Sequence, residues 1–176
     1  MYGLAEKYDL PVHTHVLETK MQRVTGQEFY KTTLIQHMKD IGVLGDRTTI
    51  VHCVWVDDHD IELIANAGVS VAHNPASNTK LGSGILPYAK LHEAGVNLAL
   101  GTDGMSSNDS QSIFEAMKIT ALLHKVTMPD YKRWPNAKDV FKAATVGGAK
   151  STRRIDHTGS IEEGKKADLV FYDLNS

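Results

Sequence analysis

Five side chains in this sequence have the types and spacing to do hydrolytic chemistry. They are His15, Glu18, His52, His73 and Asp103. Each lies at or just beyond the end of a short β-rich run: Pro11 to Leu17, Thr48 to Trp55, Val69 to Asn74 and Asn97 to Asp103. A lone histidine in an apolar strand is ordinarily a satisfied core residue, and an aspartate after Gly-Thr can simply cap the next helix. Four successive strands ending in His, His, His and Asp are another matter. Imidazole and carboxylate ligands around an open position for water are what a mononuclear catalytic metal requires. Period-two alternation puts His13 and His15 on one strand face, with Glu18 in the loop above, so an imidazole and a carboxylate share one rim.

The elements that must position these residues alternate between strand and helix, the pattern of βα units and a parallel sheet. Helices are expected over Gln27 to Ile41, Asp57 to Ala67 and Leu86 to Ala94, closed by Gly42, Gly68 and Gly95. Two more are expected over Ser112 to His124 and Asn136 to Arg153, with Asn136 as N-cap. Tyr2 to Leu10 reads as the end of a helix feeding the first strand. The polar run from Ala76 to Gly84 reads as loop and turn or as a substrate-contact segment. The tail is turn-rich from Gly159 to Lys166, then strand-like from Ala167 to Tyr172. Active sites of parallel α/β folds lie at the C-terminal ends of the strands, where these histidines and carboxylates fall.

Composition narrows the function classes. The chain has 176 residues, 41% of them hydrophobic, with 19 basic and 21 acidic side chains and a formal net charge of -2. It can bury one sizeable core, and no basic run could neutralise several phosphates. Nucleic acid and membrane partners are therefore not expected, and no apolar run approaches the roughly 20 residues of a membrane span. One cysteine and no signal-peptide pattern point to the cytoplasm. Cys53 should be a buried thiol turned away from His52. Trp55 either lines a pocket or packs. His37, His59, His92, His124 and His157 read as surface or packing residues.

The segments His15-Val16-Leu17-Glu18-Thr19, Val51-His52-Cys53, Ala72-His73-Asn74-Pro75-Ala76-Ser77-Asn78, Lys80-Leu81-Gly82-Ser83-Gly84 and Leu100-Gly101-Thr102-Asp103-Gly104 resemble, in this order, the second half of the amidohydrolase superfamily. The branch they are most similar to holds S-adenosylhomocysteine and methylthioadenosine deaminases, guanine deaminase and triazine chlorohydrolases. Gly159 to Val170 resembles the family's closing β segment. The resemblance implies strands five to eight of a (βα)8 barrel over residues 1–154, and the end of a small β-sandwich over 155–176. It implies His15 and Asp103 as ligands of one divalent metal, zinc or else iron. It also implies Glu18 as proton shuttle, Asp103 as a group that can hold or accept the proton of the metal-bound water, His52 as the substrate contact that polarises the leaving group or the attacked carbon's substituent, His73 as a substrate contact or a residue that orients the loop, and Asn78 as a substrate contact.

The activity implied is hydrolytic deamination of an aminopurine- or aminopyrimidine-like heterocycle by metal-bound hydroxide. A chlorohydrolase or another carbon–nitrogen hydrolase is the alternative within the family, and a half-barrel that is non-catalytic without a partner segment is the alternative outside it. Family members carry two further ligands in a His-x-His pair on the first barrel strand. His13-Thr14-His15 is not read as that pair, because Glu18 follows at fifth-strand spacing and only three βα strands come after. A full barrel needs about 250 residues. The chain is therefore expected to pair with a missing N-terminal half or to form a homo-oligomer, and to bind catalytic metal weakly alone.

Overall fold

A computed structural model describes residues 2–173. In chain order the elements are α1 (Tyr2–Lys7), β1 (Val12–Val16), α2 (Lys20–Tyr30), α3 (Leu34–Asp40), β2 (Thr48–His52), α4 (Asp58–Asn66), β3 (Ser70–His73), α5 (Pro75–Lys80), α6 (Tyr88–Glu93), β4 (Asn97–Leu100), α7 (Met105–Asn108), α8 (Ile113–Val126), α9 (Ala137–Lys142) and α10 (Gly148–Ser151). The four strands form one parallel sheet in sequential order, β1-β2-β3-β4. This is the α/β architecture expected of four βα units.

Local sequence explains most boundaries. Thr19, Asp57 and Asn136 each close a capping box with the residue three positions on, Gln22, Asp60 and Asp139, which satisfies backbone donors that a helix start leaves orphaned. Gly42, Gly68 and Gly95 take the left-handed conformation just past α3, α4 and α6, where a Cβ would be strained. The single helix expected over Gln27 to Ile41 is in fact two. Lys31 turns left-handed at φ 59 and ends α2, and Thr33 caps α3 through its side chain. The helix expected over Asn136 to Arg153 is likewise broken, by a π-helical turn over Ala143–Gly147.

Register sorts the strand side chains into two faces. His13, Thr49, Ser70 and Asn97 form one cross-strand row, and His15, Val51, Ala72 and Ala99 form the next row on the same face. The opposite face, with Ile50, Val71 and Leu98, packs with Ile35, Ile61, Ile64, Leu86 and Leu91 into the main apolar core between sheet and helices. The polar face is closed at its lower end by the chain's own C-terminal helical segment. Thr49 donates to Ser151 O at 2.9 Å, and the Asn97 amide donates to Ser70 Oγ at 2.9 Å and to Gly147 O at 3.1 Å. Only glycine fits at 147, because a Cβ there would lie 2.1 Å from the Leu98 carbonyl oxygen.

The expected tail strand over Ala167 to Tyr172 is not formed. Among the described residues, 155–173 hold no helix or strand, and Val170 and Phe171 are 73% and 87% exposed. The physical reason is the lack of a neighbouring strand: an extended segment without a ladder partner gains nothing over hydration of its backbone. Residues 174–176, in the closing segment expected over 155–176, lie outside the described residues.

Candidate active site

The upper end of the sheet gathers the residues singled out by spacing. His15 is on β1, Glu18 is two residues beyond it, His52 ends β2, and Asp103 follows β4. Donor atoms of His15, His52 and Asp103 all lie within 4.8 Å of one another. The His15 and His52 rings are 5.3 Å apart between centroids. His52 Nε2 faces two carboxylates, Glu18 Oε2 at 3.7 Å and Asp103 Oδ2 at 4.0 Å. His13, by contrast, is not part of the cluster, although it shares His15's face and is exposed.

Three of the turns that carry this site hold non-glycine residues in the left-handed region. Leu17 has φ 56, His52 φ 76 with Cys53 φ 51, and Asp103 φ 61. Such positions cost of order 1–3 kcal/mol each and persist only where the surroundings over-determine them. At His52 the effect is geometric. Register pairs it with Val16, toward the helices, yet at φ 76, where β2 leaves the sheet, its Nε2 lies 3.7 Å from Glu18 Oε2 and 4.0 Å from Asp103 Oδ2.

Each carboxylate is held. Asp103 Oδ2 accepts from Ser77 Oγ at 2.6 Å, and Oδ1 accepts from the Gly104 amide at 2.8 Å. Partial burial pushes the Asp103 carboxyl up, but the bonds from Ser77 and Gly104 and the neighbouring His52 outweigh it, leaving the group below the usual aspartate value. Glu18 Oε1 is 3.4 Å from Ser83 Oγ, and the Glu18 amide donates to Gln22 Oε1 at 2.7 Å. Trp55 stands beside this loop, its indole N–H donating to Ser83 O at 2.7 Å, with Lys20 Nζ 5.8 Å from its ring centroid. It therefore both packs and borders the site.

Two expected substrate contacts are buried. His73 and Asn78 present no surface at all, each being 0% exposed. His73 turns to His124, with Nε2 to Nε2 at 3.2 Å, while its Nδ1 is buried without a partner among the described residues. Asn78 sits behind His52, its Oδ1 2.8 Å from His52 Nδ1. Cys53 is fully buried as expected, and burial pushes its thiol pKa up. His124, read as a surface or packing residue, is a buried partner of His73.

The run from Ala76 to Gly84 begins within a helix rather than a loop, α5, with Pro75 at its first turn. Asn74-Pro75 was the available signal, since proline is favoured at the first helical position. That helix supplies Ser77, a fully buried residue that spacing alone did not single out.

A groove of about 1040 Å³ lies away from the cluster. It runs beside β1 between α1, α2 and α3, lined by apolar residues including Leu4, Met21, Phe29 and Leu34, and reaches the site only at His15. Among the described residues the β1 strand has one hydrogen-bonded neighbour, so its other edge is unpaired beside this groove.

A match to the amidohydrolase family model extends over residues 2–176. The chain belongs to the amidohydrolase family. It is 44% identical over 168 residues to a 5'-deoxyadenosine deaminase of Methanothermobacter thermautotrophicus, a match covering 96% of this chain and 39% of that protein. Among solved structures, an adenosine deaminase from Xanthomonas campestris with bound zinc superposes with a TM-score of 0.90 at 38% identity, over 94% of this chain and 38% of that one. An atrazine chlorohydrolase from Arthrobacter aurescens TC1, complexed with zinc, gives 0.89 at 30% identity, over 94% and 36%. The parallel α/β fold is thus that of amidohydrolase barrel proteins, and the chain spans about two fifths of the length of these relatives.

Proposed function

We propose that this chain carries strands five to eight of a (βα)8 amidohydrolase barrel over residues 1–154, with residues 155–176 belonging to a small accessory β domain, and that the completed site hydrolytically deaminates an adenosine-type nucleoside. The observation that carries the reading is the convergence of His15, His52 and Asp103 within 4.8 Å, with Glu18 beside them. The sequential parallel sheet, the unpaired β1 edge and the apolar groove along it support a preceding βα unit as the neighbour of β1.

The donor set fits a divalent metal in kind, since an imidazole nitrogen from His15 and a carboxylate oxygen from Asp103 are ligand types that zinc takes. His15 and Asp103 would hold it, and when bound it lowers the pKa of a water to about 7. Glu18 takes a proton from the attacking water and delivers it to the ring nitrogen of the heterocycle. His52 Nε2, on the same rim, polarises the substituent at the attacked carbon. Asp103 receives the second proton of the water as the carbon–oxygen bond forms and returns it as the carbon–nitrogen bond breaks. Ammonia and the oxo-heterocycle leave, so one water is consumed per turnover.

Likeness to the atrazine chlorohydrolase favours a second substrate class on the same residues, a chloro-heterocycle losing chloride. The experiment is release of ammonia from 5'-deoxyadenosine by the full-length protein with zinc, compared with release of chloride from a chlorotriazine. In the Glu18→Gln variant, deamination should fall by about 10²–10⁴ with zinc still bound, as expected for loss of a proton-transfer group. Unchanged turnover in that variant would overturn the assignment.

A further inference from the structure

We propose that Ser83 and Trp55 together are positioning residues for Glu18: Ser83 meets its carboxylate, and Trp55 ties Ser83 to the turn from which Glu18 springs. The inference rests on the reading of Glu18 as the group that serves the reacting heterocycle, and it concerns what keeps that flexible side chain in one orientation.

A glutamate side chain loses rotamer freedom when it is ordered, so a defined orientation requires neighbours that hold it. The two carboxylate oxygens of Glu18 have different surroundings. Oε2 faces His52 Nε2 at 3.7 Å, on the site side, whereas Oε1 faces Ser83 Oγ at 3.4 Å. Among the described residues Glu18 is the one hydrogen-bond partner of the Ser83 hydroxyl. A contact of this length is typical of a site without substrate, where the bonds around a reacting group tighten on binding.

Ser83 itself cannot turn away. It is 7% exposed, its amide donates to Asn78 O at 2.9 Å, and its carbonyl accepts from the Trp55 indole N–H at 2.7 Å. With both backbone groups engaged, the direction of its Cβ is set. Gly84 brings this loop up to the indole. At its φ of 121 a Cβ would lie 2.8 Å from Val54 Cγ1 and 3.6 Å from Trp55 Nε1, so the approach depends on a glycine after Ser83.

Trp55 is pinned in turn through every polar group it has. Its indole holds Ser83, its backbone N–H donates to Leu17 O at 3.0 Å, and its carbonyl accepts from Arg23 at 2.8 Å. Leu17, at φ 56, turns the chain into Glu18, whose own amide donates to Gln22 Oε1 at 2.7 Å. One residue thus connects the root of Glu18 to the loop that meets its tip. Misplacing a reacting group by about 1 Å can cost about 100-fold in rate, which is the scale on which such a connection matters.

The test is a double-mutant cycle in the full-length zinc protein, reading kcat and KM for ammonia release from 5'-deoxyadenosine, together with crystal structures of metal-free wild type and Ser83→Ala. Ser83→Ala should lower kcat by about 10- to 100-fold with KM changed by less than about 2-fold. In the Glu18→Gln background the same substitution should cost less than about 2-fold, because the group it positions is already gone. Trp55→Phe keeps a ring and loses the indole N–H; it should lower kcat in the same Glu18-dependent way, and it carries the measurement if Ser83→Ala fails to fold. Equal losses in the two backgrounds overturn the proposal, since a purely structural role is additive. In the crystals Glu18 should hold one orientation in wild type and lose it in Ser83→Ala; an unchanged carboxylate overturns the positioning role whatever the activity. Absence of ammonia release from a wild type whose Glu18 is held by Ser83 would strike the functional reading and leave the positioning role standing.

Discussion

Acidification should destabilise this fold through its paired histidines before most carboxylates titrate. His73 and His124 meet at 3.2 Å, Nε2 to Nε2, and are 0% and 5% exposed. One proton fits between the two nitrogens, so the pair is stable only when at least one of them is unprotonated. Burial pushes His124 down to about 4, and burial, reinforced by His124 and His52, pushes His73 well below its ordinary 6.5. The unfolded chain, with ordinary histidines, thus binds more protons than the native state below pH 6.5. Stability is then greatest above 6.5 and falls as pH drops toward 4. For His124 alone, the loss between pH 8 and pH 5 is about 2 kcal/mol, taking 1.36 kcal/mol per pH unit across the part of the window traversed. Urea unfolding of wild type and His124→Gln at pH 8, 7, 6 and 5 measures it. The wild type should lose about 2 kcal/mol more than the variant over that range; parallel stability curves would refute the argument that burial keeps His124 neutral.

Two further outcomes follow from buried groups elsewhere in the fold. Arg23 donates to Asp57 Oδ2 at 2.5 Å, to Asp60 Oδ2 at 3.0 Å and to Trp55 O at 2.8 Å, and Asp60 is fully buried. Arg23→Met should therefore cost about 3 kcal/mol in chemical unfolding, the lower end for stranding a buried charge, because Asp57 is partly exposed and recovers water. Cys53 should resist modification by a thiol reagent in the native protein and react at full rate in urea; rapid native labelling would contradict its burial.

The strands and their chemically active ends were legible because a parallel sheet buried on its helix side writes itself as short Val, Ile and Ala runs, and because His15, His52 and Asp103 close those runs. Glycines marked the helix ends for the same local reason. What could not be read depends on contacts distant in sequence. Nothing near His73 reports that His124, 51 residues away, will pair with it. Nor does the composition of Ala76 to Gly84 reveal a buried helix, since Ser77 and Asn78 are polar and become interior only through Asp103 and His52. The split between α2 and α3 was hidden because Lys31 carries no glycine-like signature for its left-handed turn. The tail failed as a strand because β structure needs a ladder partner that local propensity does not supply.

The sequential order of the sheet has a consequence for synthesis. Every strand pairs with its neighbour along the chain, so during translation, at about 5–20 residues per second, each βα unit can dock on the one already folded without waiting for a distant segment. Each such pairing still has to close a loop the length of one βα unit, which makes parallel pairing slow compared with local helix formation. The closing contact is the exception. Ser151 accepts from Thr49 across 102 residues, so the polar face stays uncovered on the ribosome until the last helix has emerged.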